Sequence, residues 1–172
     1  MIEKLLSHRI LILDGAMGTA IQAFGLNEEN YRGTEFALWP TQLKGNNDIL
    51  NITAPNYIKE IHNRYIEAGA DIISTNTFNV NAISQNEYGC ADYVEQINLC
   101  GAKLARECAD NCTEHKIFVA GSMGPTGKTL SLSPDINKPE FRATDFDTMS
   151  SAYYAQAKAL IEGGVDMLLL ET

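Results

Sequence analysis

Four short apolar runs punctuate the chain, and each closes on a polar residue. They are Ile10–Leu13 before Asp14, Asp71–Ser74 before Thr75-Asn76, Ile117–Ala120 before Gly121-Ser122, and Met167–Leu170 before Glu171. Continuous runs this short, bounded by turn residues, predict strands buried on both faces. Helical periodicity fills the spaces between them. Pro55 suits the first turn of a helix reaching Ala68, with Ile58, Ile61 and Tyr65 on one face. Tyr93, Ile97, Cys100, Leu104 and Cys108 recur at three- and four-residue spacing and predict a second helix over Asp92–Asn111. A third is predicted from Phe146 to Glu162, with Asp145 as its cap. Strand alternating with helix predicts an α/β fold with a parallel sheet.

An internal repeat supports that topology. Glu67-Ala68-Gly69-Ala70-Asp71 leads into Ile72–Thr77, and 95 residues later Glu162-Gly163-Gly164-Val165-Asp166 leads into Met167–Thr172. Each copy reads as a helix end, a glycine cap, a strand and a polar residue at the strand's carboxyl end. Asn76 and Glu171 hold the same place in the two copies. In a β/α barrel that place is the rim of the active site. Two stretches are too long for simple βα turns, Phe24–Thr53 and Met123–Thr144. Long loops in compact domains are commonly functional. Four strands make half of an eight-stranded barrel, which needs roughly 250 residues. The chain is therefore expected to be the first half of a TIM-type (β/α)8 barrel, about four βα units, cut after the fourth strand.

Composition narrows the classes of function. The 172 residues carry 13 Lys+Arg against 22 Asp+Glu, a formal charge of −9 and a pI near 4.7. Phosphate neutralisation needs a basic stripe, so nucleic acid is not an expected partner. No stretch reaches the roughly 18 apolar residues of a membrane span. Charges at Glu3, Lys4 and Arg9 break any signal-peptide core, so a cytoplasmic protein is expected. Cys90, Cys100, Cys108 and Cys112 lack paired C-x-x-C spacing, and Cys100 and Cys108 fall on the predicted buried helix face. His62 sits beside an apolar helix face and reads as structural, while His8 and His115 flank strands without evident partners.

Candidate chemistry collects at the strand ends. Asp14-Gly15-Ala16-Met17-Gly18-Thr19 follows the first run; its glycines allow backbone N–H groups to approach an anion, and Asp14 could receive an ammonium group. A tight strand-to-helix turn with a solvated Asp explains the same residues equally well. Ser122–Thr129 narrowly misses a phosphate-binding loop, since Ser122 stands where the motif needs Gly and prolines replace the following helix. Glu171 ends a run of three leucines, and a carboxylate at such an edge is either paired or functional. Asp14 and Glu171 together could hold one amino group.

Read in order, Leu13–Thr19, Lys44-Gly45-Asn46-Asn47-Asp48, Glu67–Ile73, Thr75–Phe78, Gly121–Thr126 and Leu170-Glu171-Thr172 are recognisable. They resemble the N-terminal homocysteine-binding domain of cobalamin-dependent methionine synthases, within the homocysteine S-methyltransferase family. Trp39-Pro40 and Gly45–Asp48 look specific to the methionine synthase branch. The resemblance implies a β/α barrel that binds homocysteine and a zinc ion held by three cysteine thiolates. It also implies methyl transfer from methylcobalamin to give methionine, with cobalamin and folate modules on the same parent chain. By this resemblance Asp14 and Glu171 hold the homocysteine amino group. Ala16, Met17, Gly18 and Thr19 lie near its carboxylate, and Asn76, Ser122 and Met123 wall the pocket. The family's zinc cysteines, including a Cys-Cys pair, belong to the second half of the barrel. None of the four cysteines here matches them, so residues 1–172 alone are expected to hold no zinc and to be inactive. The alternatives are a cobalamin-independent homocysteine S-methyltransferase using S-methylmethionine or betaine, and a non-catalytic module that binds an amino acid or a partner. Two unpaired sheet edges could also pair into an edge-mediated homodimer.

Overall fold

A computed structural model describes residues 2–172. Its helices are α1 (Ile2–Leu6), α2 (Met17–Gln22), α3 (Glu28–Arg32), α4 (Leu50–Thr53), α5 (Pro55–Glu67), α6 (Ala82–Gln85), α7 (Val94–Asn111) and α8 (Phe146–Glu162). Its strands are β1 (Ile72–Ser74), β2 (Phe118–Met123) and β3 (Met167–Leu170). They form one sheet in the order β1-β2-β3, parallel throughout, with Ile73 beside Val119 and Gly121 beside Leu168.

The three long helices form where periodicity places them. Pro55 opens α5, which buries Ile58 and Ile61. Asp145 caps α8 by accepting from the Thr148 N–H at 2.7 Å. The periodic segment before α7 divides, because Ala91–Tyr93 is a 3-10 turn ahead of the helix proper. Cys108 on α7 is buried, whereas Cys100 is only half-buried. Helix α7 packs against α5 on one side and α8 on the other, behind the sheet.

Two expectations for the strands need correction. Ile10–Leu13 runs beside β1 in the parallel sense, with Asp71 N–H donating to Ile12 O at 2.8 Å and Asp14 N–H to Ile72 O at 2.9 Å. Only Leu13 pairs as a bridge, so the described sheet has three strands and not four. The run lies at an edge with a partner on one side only, and Ile10 and Ile12 are exposed. Burial on both faces holds for β2 throughout, but β3 alternates, leaving Leu168 and Leu170 exposed.

The repeat corresponds to one structural device used twice. Gly69 and Gly164 both take positive φ, 97° and 92°, where a side chain is disfavoured. Asp71 and Asp166 follow. Each N–H donates to the preceding strand segment, at Ile12 O and Val119 O, both at 2.8 Å. Each carboxylate in turn accepts from the same residue's N–H, Ile12 at 2.9 Å and Val119 at 2.8 Å. Arg9 pairs with Asp71 at 2.6 Å and Arg106 with Asp166 at 2.8 Å. The Arg9 guanidinium, with the Ile12 N–H, holds the Asp71 carboxyl below the usual carboxylate range.

Candidate functional site

At the carboxyl ends of the strands lies a cavity of about 470 Å³. The turn after Leu13, the Gly45–Asp48 segment, the residues following β1 and the end of β3 enclose it. Asp14, Ala16, Met17, Gly18, Asn76, Ser122 and Glu171 all line it, so seven of the nine expected site positions meet in one place. Thr19 and Met123 do not. Thr19 is exposed on α2, one position beyond the turn that faces the cavity. Met123 is buried and packs with Ala102 and Leu160 behind the sheet, because alternation along β2 sends it away from Ser122.

Each carboxylate is set by its strand. Asp14 accepts two hydrogen bonds from Ser74, from its N–H and its hydroxyl, both at 2.8 Å. Burial pushes the Asp14 carboxyl up to about 6; the Ser74 donors oppose that rise and the nearby Glu171 adds to it. Glu171 accepts a hydrogen bond from the Ser122 hydroxyl, and its N–H donates to Met123 O at 3.1 Å. Each acid thus has one protein partner residue for its side chain and free acceptor capacity on the cavity side. Ala16 provides no side-chain cap to α2, which leaves the turn's backbone N–H groups without that partner.

The remaining wall is a buried amide network. Asn76 Nδ2 donates to Asn47 O at 2.8 Å, and Asn51 Nδ2 donates to Asn76 O at 2.7 Å. Behind them, Thr77 donates to Ser122 O at 2.8 Å and Gln156 Nε2 to Thr77 O at 2.8 Å. Ser74 and Asp48 are among the lining residues that sequence reasoning did not place at the site. A hydroxyl inside an apolar strand was the available signal for Ser74. Asp48 belonged to a conspicuous polar cluster, but nothing in its spacing showed that it would be buried.

The cysteines do not fit a metal. Among the described residues no three His, Cys, Asp or Glu side chains are grouped to hold an ion. Burial pushes the Cys90 and Cys108 thiols up to about 11, away from the thiolate that binds metal. His115 contacts Cys112 Sγ at 4.0 Å and Ala70 O at 3.4 Å. No described helix is long and apolar enough to cross a membrane.

A parallel α/β sheet with an acidic, amide-walled cavity at its strand ends is the class of protein defined so far. The family model for homocysteine S-methyltransferase matches residues 11–172, and the chain belongs to that family. Crystal structures of the homocysteine methyltransferase MmuM from Escherichia coli share the fold. The metallated form is 24% identical with a TM-score of 0.70, covering 98% of this chain and 56% of that one. The oxidized form is 25% identical with a TM-score of 0.68, covering 95% and 53%. The chain therefore spans about half the length of the solved relatives it matches.

Proposed function

We propose that residues 1–172 are the homocysteine-binding part of a cobalamin-dependent methionine synthase, contributing the first half of a (β/α)8 barrel. The observation that carries this reading is the meeting of Asp14 and Glu171 on one cavity, each with acceptor capacity to spare. Together they receive the homocysteine ammonium through charge-assisted hydrogen bonds. The turn Ala16-Met17-Gly18 faces the ligand carboxylate, and Asn76 and Ser122 shape the space for the side chain. Zinc and the methylcobalamin donor act from elsewhere in the parent chain, since these residues offer no thiolate set. On that reading the 172 residues alone bind substrate without turning it over.

The test uses the full-length parent. Methylation of homocysteine that requires methylcobalamin supports the proposal. Turnover with S-methylmethionine or betaine in the absence of cobalamin assigns the chain to the cobalamin-independent enzymes instead. Failure of the parent to bind homocysteine at millimolar concentration refutes both.

A further inference from the structure

Strand β1 stops opposite Ala120, and two hydroxyls fill the place it leaves beside β2. Phe118 N–H donates to Asp71 O and Thr75 N–H to Ala120 O, both at 2.9 Å, so alternate residues of β2 turn their backbone groups toward β1. Ser122 is the next residue on that side. Among the described residues the main chain offers it no partner there, because Thr77 N–H turns back to Thr75 O at 2.9 Å. The side chains of Thr75 and Thr77 do so instead. Ser122 N–H donates to Thr75 Oγ1 at 3.0 Å, and Thr77 Oγ1 donates to Ser122 O at 2.8 Å. The two hydroxyls lie 2.6 Å apart. Each carries one hydrogen, and that of Thr77 is committed to Ser122 O, so Thr75 donates to Thr77. The result is a closed circuit that leaves Ser122 at its N–H and returns at its carbonyl. Thr75, Thr77 and Ser122 are all buried, and from α8 the buried Gln156 donates to Thr77 O at 2.8 Å.

The departure of the chain from the sheet after β1 carries Asn76 to the cavity wall, where its amide meets Asn47 O at 2.8 Å. It would also leave a buried N–H and C=O of Ser122 unpaired, a costly arrangement that the circuit prevents. Ser122 is no ordinary strand residue, because its hydroxyl donates to the Glu171 carboxylate. Where that hydroxyl stands depends on where the Ser122 backbone is held. We propose that Thr75 and Thr77 are positioning residues for Glu171: their hydroxyls hold Ser122 in place of the missing ladder partners, and Ser122 in turn fixes the carboxylate at the cavity. The consequence for an amino-acid ligand rests on the function proposed above; the circuit itself does not.

Thr75→Val and Thr77→Val in the full-length parent each keep the side-chain shape and remove one hydroxyl. Either variant raises the homocysteine KM about three- to tenfold with kcat within about twofold, and serine at the same position restores KM to within about twofold of wild type. Ser122→Ala, which lacks the link to Glu171, raises KM by about the same factor, and on that background Thr77→Val adds less than about twofold. Without ligand, hydrogen exchange of the Ser122 amide, read by mass spectrometry, is about tenfold faster in Thr75→Val than in Thr75→Ser. Valine variants with the wild-type KM overturn the proposal and leave the threonines a purely structural part. Effects of Thr77→Val and Ser122→Ala that multiply independently overturn it too, as does unchanged exchange. If neither valine variant folds, Ser122→Ala decides, and an unchanged KM there overturns the route through Glu171. Faster exchange in a parent that does not bind homocysteine upholds the clamp on Ser122 and sinks the functional reading instead.

Discussion

Asp14 provides the sharpest test of the proposed ammonium site. Burial, which disfavours its charge, pushes its carboxyl up to about 6. A bound ammonium demands the ionised form, so the proton must leave before the ligand is held. The apparent affinity therefore falls by a factor of one plus ten to the power of six minus pH, about elevenfold at pH 5 and about 1.1-fold at pH 7. Asp14→Asn removes both the charge and its titration. At pH 7 the variant should bind homocysteine about ten- to a hundredfold more weakly, the worth of one charge-assisted hydrogen bond. Its affinity should then fall about tenfold less than that of wild type between pH 7 and pH 5. Isothermal titration of the parent in buffers of different ionisation enthalpy measures the same thing independently. At pH 6 the wild type should release about half a proton more than the variant on binding. Equal affinities at pH 7, or parallel pH profiles, would refute the assignment of Asp14 to the ammonium.

Other perturbations probe the pocket and its support. Glu171→Gln should raise the homocysteine KM of the parent about ten- to a hundredfold and leave its zinc content unchanged; loss of zinc with unchanged KM would place Glu171 among the metal's neighbours instead. His62 is fully buried, neither ring nitrogen has a partner, and burial lowers it to about 4. Between an unfolded value near 6.5 and that folded value the unfolded chain binds a proton the folded chain refuses, so stability falls with pH, by about 2 kcal/mol at pH 5. Urea unfolding of wild type and His62→Leu at pH 7 and pH 5 should show that loss in wild type alone. A Cβ on Gly101 would stand 2.7 Å from both Asn51 Nδ2 and Thr77 Cγ2. Gly101→Ala should therefore cost about 1 kcal/mol net of its helix propensity. It should also raise KM by displacing Asn51 from Asn76, and an unchanged KM would show that the amide wall tolerates the shift.

The fold was legible where periodicity is long. Eighteen residues of α7 and seventeen of α8 carry their own apolar faces, so their bounds follow from the sequence to within two residues. Short apolar runs say less. Ile10–Leu13 and Met167–Leu170 have equally apolar sequences, yet the first makes only a bridge while the second pairs along four residues. What separates them is the neighbour available, which no local pattern records. At the site, glycine-rich turns and polar strand ends pointed to Asp14 and Glu171 directly. Thr19 and Met123 were expected from the family resemblance, and a one-residue step along a helix or strand turns each away from the cavity. Asp48 was invisible as a buried acid because the side chain that contacts it, Gln85, lies more than thirty residues downstream.

The repeat shows why only some of its positions carry chemistry. At the amino ends of β1 and β3 the two copies agree in residue and in use: Asp71 and Asp166 each latch the preceding strand segment and each meet an arginine. That end of a parallel β/α fold serves stability, where one solution suits every unit. At the carboxyl ends the copies occupy the same position with different residues. Asn76 is 5% exposed and its amide is committed to Asn47 and Asn51, so it builds wall. Among the described residues the Glu171 side chain hydrogen-bonds the Ser122 hydroxyl alone, and it lines the cavity. An asparagine there would offer one acceptor and no charge, and a glutamate at 76 would bury a second charge against the Asn47 carbonyl. The divergence between copies therefore sets one rim position to support a loop and leaves the other facing the cavity, where the proposed function places a cationic ligand.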